Sequence, residues 1–109
     1  SNNSYTVSLS GTNTIIGKTP ATPINTWKFT NVNLNNNQSV TVTLILAANT
    51  AATYGDACDV DGTSVSNGVQ WSGGSPPLAS SNTDILTFVI FKDGGGTVRV
   101  FGQGNRDFS

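Results

Sequence analysis

The sequence predicts an all-β fold, an antiparallel β-sandwich or a jelly-roll-like barrel, as a single domain over residues 1–109. Three observations carry that expectation. Apolar and polar residues alternate with a period of two in several segments; those segments are dense in β-branched residues; and the connections between them are rich in Gly, Pro and Asn. Strong helix formers are concentrated in two short stretches, Leu44-Ile45-Leu46-Ala47-Ala48 and Thr50-Ala51-Ala52.

Tyr5, Val7 and Leu9 alternate with Ser4, Thr6, Ser8 and Ser10, the pattern of a half-buried strand. The prolines of Thr19-Pro20-Ala21-Thr22-Pro23 impose an extended connection. Trp27 and Phe29 then alternate with Lys28 and Thr30. Asn35-Asn36-Asn37-Gln38 reads as a turn or as the tip of a hairpin. After it, Val40, Val42, Leu44 and Leu46 take one face of a strand, and Thr41, Thr43 and Ile45 take the other. Asn67-Gly68 is a tight turn before Trp71, and Gly73-Gly74-Ser75-Pro76-Pro77 is a rigid loop after it. In residues 84–92 both faces are apolar, which predicts a central strand covered on both sides. Asp93-Gly94-Gly95-Gly96 joins it to residues 97–101 as a β-hairpin, because glycine supplies positive φ without steric cost. The expected core is Trp27, Phe29, Val42, Leu44, Leu86, Phe88, Ile90 and Val100.

Composition narrows the function. Charged residues make up 10% of the chain, against about 25% in an ordinary domain. The net charge is −1, so there is no basic surface to neutralise a nucleic-acid backbone. No apolar run is long enough to span a bilayer as a helix, and no signal-peptide pattern opens the chain. There is no His, which removes the commonest general base and metal ligand. The single Cys58 has no internal disulfide partner. Methionine is missing, position 1 included, which leaves open either removal of an initiator or a fragment of a longer chain.

The densest polar cluster, Asp56-Ala57-Cys58-Asp59-Val60-Asp61-Gly62, makes Asp56, Asp59 and Asp61 the candidate ligands for calcium. Aligning Gly62 with the sixth position of a calcium loop puts Ala57 and Gly68 where the first and twelfth ligands belong. The expectation is therefore a turn whose aspartates bond nearby amides, with no cofactor and no metal. Cys58 lies among aspartates, which raise a thiol pKa, and reads as buried and inert. No Gly-x-Ser-x-Gly elbow or phosphate loop is present, Asp84 and Asp93 read as structural, and the chain is not expected to be an enzyme. The aromatic residues Trp27, Tyr54 and Trp71 are candidates for stacking on sugar rings; the alternative for Trp27 is the core, and for Trp71 packing beneath the loop that follows it.

From Tyr54-Gly55-Asp56 and Val60-Asp61-Gly62-Thr63 onward the chain takes on a pattern. It continues through Asn67-Gly68-Val69-Gln70-Trp71-Ser72-Gly73-Gly74-Ser75-Pro76-Pro77 and Asn82-Thr83-Asp84-Ile85-Leu86-Thr87-Phe88 to Asp93-Gly94-Gly95 and Val100-Phe101-Gly102. This resembles a segment recurring in virion structural proteins of tailed phages, especially marine cyanophages. The resemblance covers residues 54–109. It implies a β-domain of the capsid or tail that works by contact, and it carries over no catalytic residues.

Two functions are consistent with these features. One is a structural virion protein, decorating or cementing the capsid or associated with the tail, assembled in the host cytoplasm with other virion proteins as partners. The alternative is an adhesin-like tip domain of a tail fibre that attaches to host glycan or protein. The scarcity of charge to guard sheet edges predicts a homo-oligomer, a trimer by analogy with fibres and spikes. Expected contacts are residues 5–9, 40–46 and the tail 102–109; the candidate interface residues are Tyr54, Trp71, Pro76, Pro77 and Phe108.

Overall fold

The structure, a computed structural model, describes residues 4–10, 14–18, 24–47, 54–78, 80 and 82–108. Nine strands account for most of these residues: β1 (Ser4–Ser8), β2 (Thr14–Lys18), β3 (Ile24–Thr30), β4 (Gln38–Ala47), β5 (Tyr54–Val60), β6 (Thr63–Ser64), β7 (Val69–Trp71), β8 (Thr83–Lys92) and β9 (Val98–Phe108). The helical element among them is a 3-10 turn, Ser72–Gly74. The strands form two sheets, ordered β1-β3-β5-β6 and β2-β4-β8-β9-β7. The proline connection at residues 19–23 and the stretch 50–52 lie outside the described residues.

The expected all-β sandwich is observed, but its sheets are mixed rather than purely antiparallel. β1 with β3, β3 with β5, β2 with β4, and β7 with β9 pair parallel. β4 with β8, β8 with β9, and β5 with β6 pair antiparallel. The path of the chain explains the mixture. From β1 to β5 successive strands enter alternate sheets, so neighbours within a sheet are one strand apart in sequence and run the same way. Residues 35–38 accordingly form a turn that carries the chain from one sheet to the other, not a hairpin tip.

β8 is central in its sheet, between β4 and β9. Its inward residues Leu86, Phe88 and Ile90 are buried, as are Val42, Leu44 and Leu46 on β4. The second face of β8 differs from the expectation: Ile85, Thr87, Val89 and Phe91 are half-buried rather than covered. Side chains of the flanking strands shield them in part, which suffices for apolar residues mid-sheet. The β8–β9 hairpin closes as expected. Asp93 Oδ1 accepts from the Gly95 and Thr97 amides at 2.9 and 3.0 Å, and Gly96 takes φ 86°.

All eight expected core residues are at most 1% exposed. Trp27 from β3 and Phe88 from β8 meet across the sandwich with ring centroids 5.0 Å apart. Phe29, Tyr54, Trp71 and Tyr5 pack around them at 5.1–6.5 Å. Phe88 thus touches three other rings, and Phe88→Ala should cost about 3–5 kcal/mol in urea denaturation. A cost below about 1 kcal/mol would mean that the centre of the sandwich is not where the structure puts it.

Candidate functional site

A candidate site lies where β7 and the residues that follow it meet β9. Trp71 pairs with Gly102 in the β7–β9 ladder. A Cβ at Gly102 would sit 2.8 Å from indole Cε3 and Cζ3, so the missing side chain is what lets the indole lie on β9. Gly104 does the same for the loop: a Cβ there would be 2.8 Å from Pro77 Cγ. Residues 102–108, expected as a polar tail broken by glycine, are instead the second half of the eleven-residue β9. Its glycines are packing sites.

The far end of the loop is held by a buried carboxylate. Asp84 is 0% exposed and accepts hydrogen bonds from Tyr54 Oη at 2.7 Å, from the Ser80 amide at 2.9 Å and from Ser80 Oγ. Tyr54 stands on β5 and Asp84 on β8, so this network ties one sheet to the other as well as pinning the loop. Its donors stand in for the water that a buried carboxylate requires. The reading of Asp84 as structural agrees with this geometry.

Two clefts flank Trp71. One, of about 350 Å³, runs between the loop and β9 and is lined by Ser72, Ser75, Pro77, Gln103 and Asn105. The other, of about 450 Å³, opens on the outer face of the sheet beside Gln70, Thr87, Val89 and Phe101. Both include Trp71, Ser72 and Gln103. Trp27 Nε1 donates to the Gly55 carbonyl at 3.0 Å. Trp71 Nε1, by contrast, is buried without an acceptor, a state that costs about 1–3 kcal/mol.

The expected contact residues divide. Tyr54 and Trp71 are 3% and 7% exposed, a correction to their reading as surface stacking or interface groups. Both lie on inward faces, where the core needs their bulk and Asp84 needs the Tyr54 hydroxyl. Trp27 is likewise core. Pro76 and Pro77 are half-buried, and Phe108 is 50% exposed and free to meet a neighbour. In the expected contact segments, Val7, Val42, Leu44 and Leu46 are core, and β4 is flanked by β2 and β8, which leaves the edge of β1 and the outward Ser and Thr positions for contact. Phe101, 42% exposed, was not among the expected contact residues. The alternation of Val98 and Val100 with Arg99 and Phe101 is the signal that places it outward.

The three aspartates are not brought together. Asp61 closes the β5–β6 turn, and its two carboxylate oxygens accept from the Val32 and Asn33 amides at 3.1 and 2.9 Å. Asp59 accepts from Ser64 Oγ at 3.2 Å. Among the described residues, no group of three acidic, Cys or His side chains is placed to hold a metal ion.

Cys58 is 4% exposed, and its Sγ lies 3.8 Å from the Asp59 carbonyl oxygen. Burial first, and the Asp59 charge second, push the thiol up to about 12 from 9.0. The folded state therefore holds this proton to higher pH than the unfolded state does. Its contribution to stability is complete below pH 9 and is lost as the pH climbs towards 12. Denaturation measured across that interval should show a steeper loss of stability for the native sequence than for Cys58→Ala. Equal slopes would contradict the buried, protonated thiol.

Compared with known proteins, the chain matches no family model, no curated protein and no solved structure.

Proposed function

We propose that the domain is a structural subunit of a virion, on the capsid surface or along the tail, assembled in the host cytoplasm and acting through protein–protein contacts. Self-association into a homo-oligomer is part of that reading; pairing of β1 with β1 alone closes a dimer, and the trimer expected by analogy with fibres and spikes needs a second, unlike contact besides that edge. The resemblance of residues 54–109 to virion proteins of tailed phages supports the setting. The observation that supports contact as the mode of action is the edge at β1.

Among the described residues, β1 is the outermost strand of its sheet. Natural sheets blunt such edges with lysine, proline, bulges or brevity. The other edges have such devices: β6 has two residues, β7 has three and runs into a glycine turn, and β2 ends in Lys18. β1 reads Ser-Tyr-Thr-Val-Ser in continuous register with β3, without charge, proline or bulge. The Leu9 amide donates to the Thr30 carbonyl at 3.0 Å. By the alternation of a ladder, the amides of Tyr5 and Val7 also face β3, and those of Thr6 and Ser8 face outward. A second copy adding its own strand there satisfies that row, with Phe108 available for side-chain contact.

Thr6→Pro removes one outward N–H and leaves the inward ladder intact. Light scattering at high micromolar concentration should find the native chain oligomeric and Thr6→Pro monomeric, with the strand signal in circular dichroism unchanged. A monomeric native chain, together with an intact particle in which no neighbour touches it, would end this reading.

A further inference from the structure

We infer that the outer face of the β2-β4-β8-β9-β7 sheet is a second self-association surface, on which two copies pack face to face about a two-fold axis running along β8. The inference deepens the proposed self-association and rests on it: the β1 edge joins copies through one sheet, and this face joins them through the other. The centre of the face is apolar. Ile85, Val89 and Phe91 point outward from β8, and Phe101 on β9, 42% exposed, stands beside Val89. Neighbouring side chains shield the three β8 residues only in part.

What selects a second copy as the occupant is the order of sizes across the strands. Residues directly opposite each other in a ladder share a face. From β4 through β8 to β9, the register aligns Ser39 with Phe91 and Arg99, Thr41 with Val89 and Phe101, and Thr43 with Thr87 and Gln103. Each of these rows is short on β4 and long on β9. A two-fold axis along β8 lays β9 of one copy over β4 of the other and keeps each row opposite itself. Phe101 then meets the methyl of Thr41, while the Arg99 guanidinium and the Gln103 amide meet the hydroxyls of Ser39 and Thr43. Val89 and Thr87 meet their own counterparts on the axis. An axis across the strands would instead set the long β9 side chains against one another.

Spacing and area agree with this packing. Aligned sheets lie about 10 Å apart, a distance that one long and one short side chain fill together. At about 3.3 Å per residue and about 4.8 Å per strand, the five strands cover roughly 600 Å², hence roughly 1,200 Å² over two copies. That is the lower bound for a specific interface, about 1,200 Å². The contact is therefore weak between separate chains, and copies already joined at β1 gain most from it.

Cross-linking between introduced cysteines reads the packing even where the contact is weak. Cys58→Ala removes the one native thiol, and a bismaleimide spanning about 10 Å matches the sheet spacing. In that background Thr87→Cys, on the axis, should link to itself in most chains. Thr41→Cys and Phe101→Cys should link when mixed and not when either is alone. Phe101→Asp, a change at an exposed position, should lower the Thr87→Cys yield about tenfold. Thr87 lies in the sheet that does not contain β1, so pairing at β1 alone leaves it unlinked. An oligomeric native chain without a Thr87→Cys link would overturn this face and spare the edge. Thr6→Pro chains that stay oligomeric and still link through Thr87→Cys would uphold the face and overturn the edge. Phe101→Cys linking to itself as readily as to Thr41→Cys would overturn the two-fold along β8.

Discussion

The meeting of Trp27 and Phe88 across the sandwich is the contact on which the rest of the structure depends. Their centroids are 5.0 Å apart, and neither ring is exposed. Trp27 also touches Tyr5 on β1, Tyr54 on β5 and Trp71 on β7, so four elements take their position from one indole. Aromatic pairs of this geometry add about 0.5–1.5 kcal/mol each beyond the area they bury. Backbone is arranged to admit the ring. Its Nε1 reaches the carbonyl of Gly55, where a Cβ would approach the Ile24 carbonyl oxygen to 2.8 Å.

A second constraint shapes the surface from within. The buried Asp84 network joins β5 to β8 and fixes Ser80. Pro77 then lies over Gly104, and Trp71 lies over Gly102. The groove beside Trp71 is a consequence of these packings. Its walls are β9 and residues 72–77.

The parts of this fold that rest on side-chain period were legible in the sequence. The eight core residues, the β8–β9 hairpin and the turn at Asn67-Gly68 follow from alternation and from glycine placement. Strand direction did not follow, because a period of two reports which face is buried and says nothing of a neighbour's polarity. Burial of Trp71 was legible as the alternative to a surface role, whereas Tyr54 was read only as a contact group, since an aromatic residue with a polar handle suits a surface and a core alike. The half-burial of the outer face of β8 was missed for a related reason: apolar residues on both faces mark a central strand whether or not a second layer covers it. The unpaired Trp71 N–H was invisible in sequence, because it depends on what the loop fails to bring near it.

The domain is an aromatic-centred sandwich, and the proposed function rests on its margin at β1, which among the described residues is an edge without charge, proline or bulge. Amide hydrogen exchange reads that edge directly. With strand addition at β1, the outward amides of Thr6 and Ser8 exchange slowly in concentrated protein and quickly on dilution, and those of Tyr5 and Val7, bonded to β3, change little. Exchange at Thr6 and Ser8 that stays fast at every concentration would contradict it.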